Sequence, residues 1–108
     1  MAQIQIPRMD FFILNKDWYL YVLLCADGTY YTGVTTDVTR RLEEHNASPK
    51  GAKYTKTRRP VEMVYWTCFR DRSSAQKAEY KFKQLTRKQK EKTINEIRLN
   101  SIITNDGM

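Results

Sequence analysis

Two apolar segments separated by a short turn signal restrict the fold of this chain more than any other feature. Residues 18–25 read WYLYVLLC and residues 29–34 read TYYTGV, and both are rich in the aromatic and β-branched side chains that favour strands. The intervening ADG sequence contains an Asp-Gly pair, which is typical of tight turns. We therefore predict an antiparallel hairpin over residues 18–34.

The length of the hairpin loop decides which side chains share a face of the sheet. A two-residue loop would place Tyr21 and Tyr31 on opposite faces. A three-residue loop with Gly28 in the left-handed conformation pairs Tyr21 with Gly33 and brings both tyrosines to one face, because side chains alternate along a strand. We expect the three-residue loop. Gly33 would then leave space above the sheet beside Tyr31, although a glycine in a strand can equally mark a bulge.

The middle of the chain predicts a helix, a loop and a third strand. Thr36 or Asp37 is suited to cap a helix that continues through Asn46, because a short side-chain oxygen accepts hydrogen bonds from free amides of the first turn. Residues 47–60 combine several cations with Pro and Gly and no acidic residue, which indicates a basic loop. Residues 61–69, VEMVYWTCF, predict the third strand.

Two more helices follow the third strand. Ser73 begins an SSAQ segment that can form a capping box with Gln76, so we predict a helix from there to about Leu85. Thr86 is then predicted to cap a last helix that runs to about Arg98. The fold class is α+β: a small three-stranded antiparallel sheet flanked by about three helices, in the order β-β-α-β-α-α.

The length and charge of the chain limit its organisation and its partners. With 108 residues it has room for one compact domain, which we place at residues 18–98. Residues 1–17 are expected to form an extension, either frayed or with a short edge strand near Phe12, and residues 99–108 to form a tail. The net charge of +7 favours a polyanionic partner, nucleic acid before membrane.

The cysteines and the apolar segments indicate a cytoplasmic protein. Cys25 and Cys68 lie in apolar strand-like segments without metal-ligand spacing, so we expect buried free thiols and no zinc site. The apolar segment at residues 11–14 is too short for a signal sequence or a membrane span. We therefore expect a location in the cytoplasm and no contact with a membrane.

The first helix places two adjacent arginines on different faces. At about 100° per residue, Arg41 and His45 fall on the same side as the apolar Val38 and Leu42, whereas Arg40 projects to the opposite, acidic side. We therefore predict that Arg41 points toward the sheet and that Arg40 is a surface charge. The alternative is that Arg41 lies at the border of the apolar stripe and extends its tip to solvent.

The next helix carries a carboxylate on its core-facing side. Glu79 falls within the apolar stripe, which consists of Ala75, Ala78, Phe82 and Leu85. A carboxylate in such a position is costly unless it is paired or binds a metal ion. An internal Arg41–Glu79 ion pair is therefore one explanation, and a metal site is the other.

Together these residues resemble the GIY-YIG nuclease superfamily over residues 18–95. The YLY segment at residues 19–21 stands where that family has GIY, and the YTG segment at residues 31–33 stands where it has YIG. Arg41, in TRRLEEHN, matches the family's catalytic arginine, and Glu79, in AEYKFKQL, matches its metal-binding glutamate. The length of the chain is similar to that of small stand-alone bacterial members.

The chain differs from the family pattern at three places. Tyr19 takes the position of the first glycine, and Thr32 takes that of the isoleucine. Some members have an asparagine after the metal-binding glutamate, and here that stretch offers lysine and glutamine instead.

The resemblance implies hydrolysis of phosphodiester bonds with one Mg²⁺ or Mn²⁺ ion. Glu79 would bind the metal ion, and Arg41 would hold the scissile phosphate. Tyr21 is the first choice as the base that takes the proton of water, with Tyr31 positioning it or sharing the role. Because a free phenol has a pKa of about 10, the base needs nearby positive charge, which Arg41 and the metal ion would supply. His45 matches a position where some members carry histidine, and it would either assist proton transfer or orient its neighbours.

A basic surface would bind the substrate, which we expect to be DNA, with RNA as an alternative. The predicted phosphate contacts are Lys50, Lys53, Lys56, Arg58, Arg59, Lys81, Lys83 and Lys88, and further cations on the last helix are Arg87, Lys90 and Lys92. A nucleic-acid-binding module that does not cut efficiently is the alternative function, and a protein-interaction domain is the third. No obligate protein partner is indicated. The endonuclease would act in DNA repair or recombination, and the structure of its substrate is not indicated by the sequence.

Overall fold

The fold is described by a computed structural model. It covers the backbone of residues 17–106 and the side chains of residues 17–96. The segment of residues 1–16, with the edge strand expected near Phe12, lies outside the described residues.

The sheet has three antiparallel strands in the order β2-β1-β3. Strand β1 spans Trp18–Leu24, β2 spans Tyr30–Thr35 and β3 spans Glu62–Phe69. The aromatic and apolar β1 is central, which explains why all five of its inner residues are buried.

The hairpin has the predicted three-residue loop. Tyr21 pairs with Gly33, and the amide of Cys25 donates to the carbonyl of Thr29 across the turn. Gly28 has a φ of 84°, the left-handed conformation that glycine adopts without steric cost. Tyr21 and Tyr31 therefore lie on one face of the sheet.

Four helices complete the described part of the chain. Helix α1 spans Val38–Ala47, α2 spans Lys53–Lys56, α3 spans Arg72–Gln84 and α4 spans Arg87–Asp106. The predicted class and element order are confirmed, with one addition. Helix α2 is a single turn inside the segment that was expected to be an irregular basic loop.

Side chains cap the first turns of α1 and α3, at the predicted residue in α1 and at a different residue in α3. The side chain of Asp37 accepts from the amide of Arg40 at 3.0 Å, as predicted. The prediction that Ser73 begins α3 was wrong: Asp71 is the cap, and its side chain accepts from the amide of Ser74 at 2.7 Å. A carboxylate is at least as good a cap as a hydroxyl, so the helix begins earlier than expected.

Helix α4 begins as predicted and ends later. Thr86 Oγ1 accepts from the amide of Gln89 at 3.2 Å, and the side chain of Gln89 accepts from the amide of Thr86 at 2.9 Å. This reciprocal capping box fixes the start of the helix. The helix runs to Asp106 rather than to residue 98. None of the helices in the described range is long and apolar enough to cross a lipid bilayer.

Buried side chains form one layer on each face of the sheet. On one face, Tyr19, Tyr21 and Leu23 pack with residues of α1 and α2. On the other face, Leu20, Val22 and Val64 pack with Phe82 of α3 and Ile94 of α4, which excludes water from both sides of β1.

The two cysteines have different environments. Both are free thiols, and Cys25 is buried next to the end of β1. Cys68 was also expected to be buried, and this was wrong, because it is exposed. It lies near the end of β3, which is at the edge of the sheet formed by the three described strands.

Candidate active site

The absence of a side chain at Gly33 determines where Tyr21 can lie. A Cβ atom at position 33 would be 2.6 Å from the hydroxyl oxygen of Tyr21 and 2.8 Å from its Cζ atom, closer than such atoms approach in proteins. The β1–β2 register continues past Gly33 without a shift, so this glycine provides space and does not mark a bulge. The ring of Tyr21 therefore extends across strand β2.

The hydroxyl group of Tyr21 reaches a buried chain of polar groups. Its oxygen lies 2.7 Å from Nε2 of His45, and Nδ1 of His45 lies 2.8 Å from Oγ1 of Thr55. Oγ1 of Thr55 in turn lies 3.0 Å from the carbonyl oxygen of Ala52. His45 and Thr55 are both 0% exposed and Tyr21 is 1% exposed, so water does not compete for these hydrogen bonds.

Burial shifts the pKa values of Tyr21 and His45 in opposite directions. It raises the pKa of Tyr21 to about 12, even though a hydrogen bond from Arg41 and the charge of Arg41 act to lower it. Burial and the charge of Arg41 lower the pKa of His45 to about 4. Arg41 acts on the pKa of Tyr21 in the expected direction, but its effect alone is smaller than that of burial. The expectation from the sequence assigned the positive charge to Arg41 and a metal ion together. At neutral pH Tyr21 is a phenol and His45 is a neutral imidazole.

Tyr31 joins this group from strand β2. The centroid of its ring lies 6.4 Å from that of Tyr21 and 5.1 Å from that of His45. On its other side, the ring stacks on Tyr54 of α2 at 6.0 Å. Tyr31 is only partly buried, so it lies between the buried Tyr21–His45 pair and solvent.

Arg41 lies next to Tyr21 and is less exposed than Arg40. The side chain of Arg41 is 23% exposed and that of Arg40 is 52% exposed. Nη1 of Arg41 donates to Oε1 of Glu44 at 2.8 Å and to the carbonyl oxygen of Lys50 at 2.9 Å, and the guanidinium is close enough to the hydroxyl of Tyr21 to influence its pKa. Glu44 also pairs with Arg40 at 3.2 Å, so it serves both arginines rather than Arg40 alone.

Glu79 is directed toward the same region from helix α3 but does not pair with Arg41. Its side chain is 21% exposed and forms an ion pair with Lys83, one turn later, at 3.1 Å. Helix α3 packs against β1 and β2, and the charge of Glu79 is close enough to contribute to the raised pKa of Tyr21. The internal Arg41–Glu79 ion pair considered from the sequence is therefore not formed. Arg41 pairs with Glu44 instead, and Glu79 pairs with Lys83.

The described residues fit a Mg²⁺ ion held by one carboxylate and water, and not a metal ion whose ligands all come from the protein. Within residues 17–96, no three His, Cys, Asp or Glu side chains are grouped to hold a metal ion. Mg²⁺ retains most of its waters and usually takes one or two carboxylates, and Glu79 is a partly exposed carboxylate of this kind.

The predicted phosphate-binding cations fall into two groups. The first group is exposed and consists of Lys50, Lys53, Lys56, Lys81 and Lys88. The second group makes contacts within the protein. Arg58 pairs with Asp27 at 2.9 Å and lies 3.8 Å above the ring of Tyr54, and Lys83 pairs with Glu79. Arg59 is the third member of this group.

Arg59 binds the C-terminal end of helix α1. It donates to the carbonyl oxygens of His45 at 2.6 Å, Ser48 at 2.7 Å and Glu44 at 3.3 Å. The carbonyls of Glu44 and Ser48 also accept from the amides of Ser48 and Gly51. The carbonyl of His45 has no such donor one turn later, because Pro49 has no amide hydrogen, and Arg59 satisfies it instead. The pattern indicates a structural role for Arg59 that positions the turn carrying His45.

We expect Arg59→Ala to destabilise the protein by about 2 kcal/mol, because the variant leaves the partly buried carbonyl of His45 without its donor and removes two further hydrogen bonds at the end of α1. Lys56→Ala, which removes an exposed cation from the same segment, is the matched control and should leave stability within about 0.5 kcal/mol of wild type. Urea unfolding of the two variants measures the difference. Equal stability of the two, with weaker DNA binding by Arg59→Ala, would assign Arg59 to the substrate instead.

Sequence reasoning missed the contribution of helix α2. Thr55 and Tyr54 both contact the tyrosine–histidine group, yet the segment was expected to be a basic loop. The available signal was the uncharged pair Tyr54-Thr55 between two lysines, because an aromatic residue in a cationic segment often has a packing role.

The fold and the arrangement of Tyr21, Tyr31, Arg41 and His45 define a known class of protein. The family model described as the GIY-YIG catalytic domain matches residues 17–94, and the chain therefore belongs to this family. It is 53% identical over 86 residues to UPF0213 protein DP2720 of Desulfotalea psychrophila, covering 80% of this chain and 74% of the relative. It is 50% identical over 88 residues to a UPF0213 protein of Bacillus pumilus, covering 82% and 89%.

A solved structure has a similar fold. The solution NMR structure of protein EF2693 from E. faecalis is 53% identical, with a TM-score of 0.55 over 78% of this chain and 88% of that one.

Proposed function

We propose that the protein is a metal-dependent endonuclease that hydrolyses phosphodiester bonds of DNA with a single divalent ion. Membership of the GIY-YIG catalytic domain family supports nuclease chemistry. The observation that carries the proposal is the buried hydrogen bond between the Tyr21 hydroxyl and His45, with the Arg41 guanidinium beside it. A module that only binds phosphate would not need a buried phenol paired with a neutral imidazole.

Arg41 is the group that would bind the scissile phosphate. Its guanidinium is held by Glu44 and by the carbonyl of Lys50, and it remains 23% exposed, so a phosphate oxygen has access to it. Because the side chain is already oriented, little reorganisation accompanies the build-up of negative charge in the transition state.

Tyr21 would accept the proton of the attacking water while it passes its own proton to His45. A free phenolate is disfavoured because burial raises the pKa of Tyr21 to about 12, and His45 is a weak base in the free protein because its pKa is lowered to about 4. A phosphate bound at Arg41 would offset the positive charge that helps to lower the pKa of His45, so the proton transfer belongs to the substrate complex. In the coupled transfer, an O–H bond of water breaks and its proton moves to the Tyr21 oxygen. The phenolic proton moves to Nε2 of His45, 2.7 Å away. The water oxygen forms the new bond to phosphorus, and the bond to the leaving ester oxygen breaks.

Glu79 would hold the metal ion, Mg²⁺ or Mn²⁺, by exchanging its ion pair with Lys83 for the cation. A divalent ion at this place supplies Lewis-acid stabilisation of charge on the phosphate. Tyr31, partly exposed and next to both Tyr21 and His45, would position the water.

The Glu79–Lys83 ion pair favours a second candidate, a nucleic-acid-binding module without efficient cleavage. In that case the exposed lysines would bind DNA or RNA, and Glu79 would stay paired with Lys83.

The test is a cleavage assay of the purified protein on linear duplex, single-stranded and branched DNA and on RNA, with Mg²⁺ and with a chelator in its place. We expect Mg²⁺-dependent cleavage of at least one DNA form, and preference for branched DNA would support a role in repair or recombination. Salt-sensitive binding without cleavage of any substrate would support the binding module.

A further inference from the structure

We propose that Thr55 is a positioning residue that fixes the tautomer of His45, so that Nε2 is the nitrogen able to take the proton of Tyr21. The inference rests on the proposed function where cleavage is the readout, but the tautomer itself is measurable without any substrate.

The hydrogen bonds of Thr55 determine where the proton of His45 lies. The carbonyl oxygen of Ala52 can only accept. It accepts from the amides of Thr55 and Lys56, each at 3.1 Å, and the Thr55 hydroxyl donates its proton to the same oxygen at 3.0 Å. Oγ1 of Thr55 is then an acceptor toward Nδ1 of His45 at 2.8 Å, and Nδ1 must carry the ring proton. In a neutral imidazole the other nitrogen, Nε2, is then unprotonated and accepts from Tyr21.

The surroundings of Tyr21 disfavour the opposite tautomer of His45. The opposite tautomer would place an N–H on Nε2, which would have to donate to the Tyr21 oxygen. The hydroxyl proton of Tyr21 would then lose Nε2 as its acceptor, and the neighbouring Arg41 guanidinium can only donate. Tyr21 is 1% exposed, so water has little access to accept that proton instead.

Helix α2 is held against the hairpin, and this keeps Thr55 in place. The ring of Tyr54 stacks on Tyr31, and its hydroxyl donates to Oγ1 of Thr29 at 2.8 Å. The backbone amide of Arg58 donates to the carbonyl of Thr55 at 2.9 Å, and the Arg58 side chain pairs with Asp27 in the hairpin loop. The single turn of α2 is therefore linked to the strands that carry both tyrosines.

The experiment uses the fact that His45 is the only histidine of the chain. Its two ring nitrogens give unambiguous signals in a ¹⁵N correlation spectrum of the full-length protein at neutral pH. We expect the wild type to have a proton on Nδ1 and a bare Nε2. Thr55→Ser, which retains the hydroxyl, should give the same pattern. Thr55→Val, which has nearly the same shape and no acceptor, should shift the proton toward Nε2.

Cleavage is the second readout. Thr55→Val should lower the rate by roughly 10²-fold, the scale on which a positioned general base acts, and Thr55→Ser should stay within a few-fold of wild type. The thermal midpoint of each variant separates this loss from unfolding. If Thr55→Val does not fold, the spectrum of the wild type still tests the assignment.

Each outcome has a separate meaning. A wild type with the proton on Nε2 overturns the inference, as does a Thr55→Val variant that shifts the proton and cleaves at the wild-type rate. A wild type with the expected tautomer and no cleavage of any substrate supports the role of Thr55 in setting the tautomer and contradicts the proposed nuclease function.

Discussion

Replacing Glu79 by glutamine is expected to stop Mg²⁺-dependent cleavage while the protein stays folded and binds DNA. The substitution retains the shape of the side chain and removes the charge that would hold the ion. Within the described side chains, Glu79 pairs with Lys83, whose side chain is 53% exposed, and such a pair contributes at most about 1 kcal/mol to stability. The thermal midpoint should therefore change little, and the cleavage rate should fall to the level measured with a chelator.

Lys83→Gln is the matched control for this variant. It breaks the same ion pair and leaves the carboxylate of Glu79 free, so it should retain Mg²⁺-dependent cleavage. DNA binding by both variants should weaken with salt, by about −0.9 in the slope of log K against log[salt] for each phosphate neutralised. A Glu79→Gln protein that cleaves like the wild type would remove Glu79 from the metal site.

The second large effect is expected at Arg41. Arg41→Ala should lower the cleavage rate by roughly 10²-fold or more, the loss that follows removal of one preoriented anion donor. Arg40→Ala is the matched control, because Arg40 is the preceding residue, also pairs with Glu44 and is 52% exposed. It should reduce DNA binding modestly and leave the cleavage rate close to wild type.

Single-turnover rates at saturating protein separate cleavage from binding for the two arginine variants. Similar losses in both would contradict the distinction between a partly buried Arg41 that contacts Tyr21 and a surface Arg40.

Local features of the chain predicted the elements and the faces of this fold. The ADG loop led to the correct hairpin register, because a glycine in the left-handed conformation permits a three-residue turn. The helical period separated Arg41 from Arg40, since the angle between successive residues does not depend on the rest of the protein. Thr86 indicated the start of α4 because capping is an interaction within one turn.

Other outcomes depended on groups that are distant in sequence. Arg59 was predicted from its charge as a phosphate contact, and the sequence did not reveal that its guanidinium also donates to the carbonyl of His45, 14 residues earlier in the chain. The sequence indicated that Arg41 and a metal ion would lower the pKa of Tyr21. It did not reveal that the surrounding core removes water from the hydroxyl, an effect on the pKa that is larger than that of Arg41 alone.

The sequence by itself determined the hairpin, the order of the elements and the inward side of helix α1, all of which follow from interactions between residues close in the chain. Only the tertiary structure decided that Tyr21 lies over Gly33, that Glu79 pairs with Lys83, and that Thr55 contacts His45. The physical reason is that hydrogen bonding and desolvation of a buried group depend on every element packed around it, whereas turns, caps and helix faces depend on one segment alone.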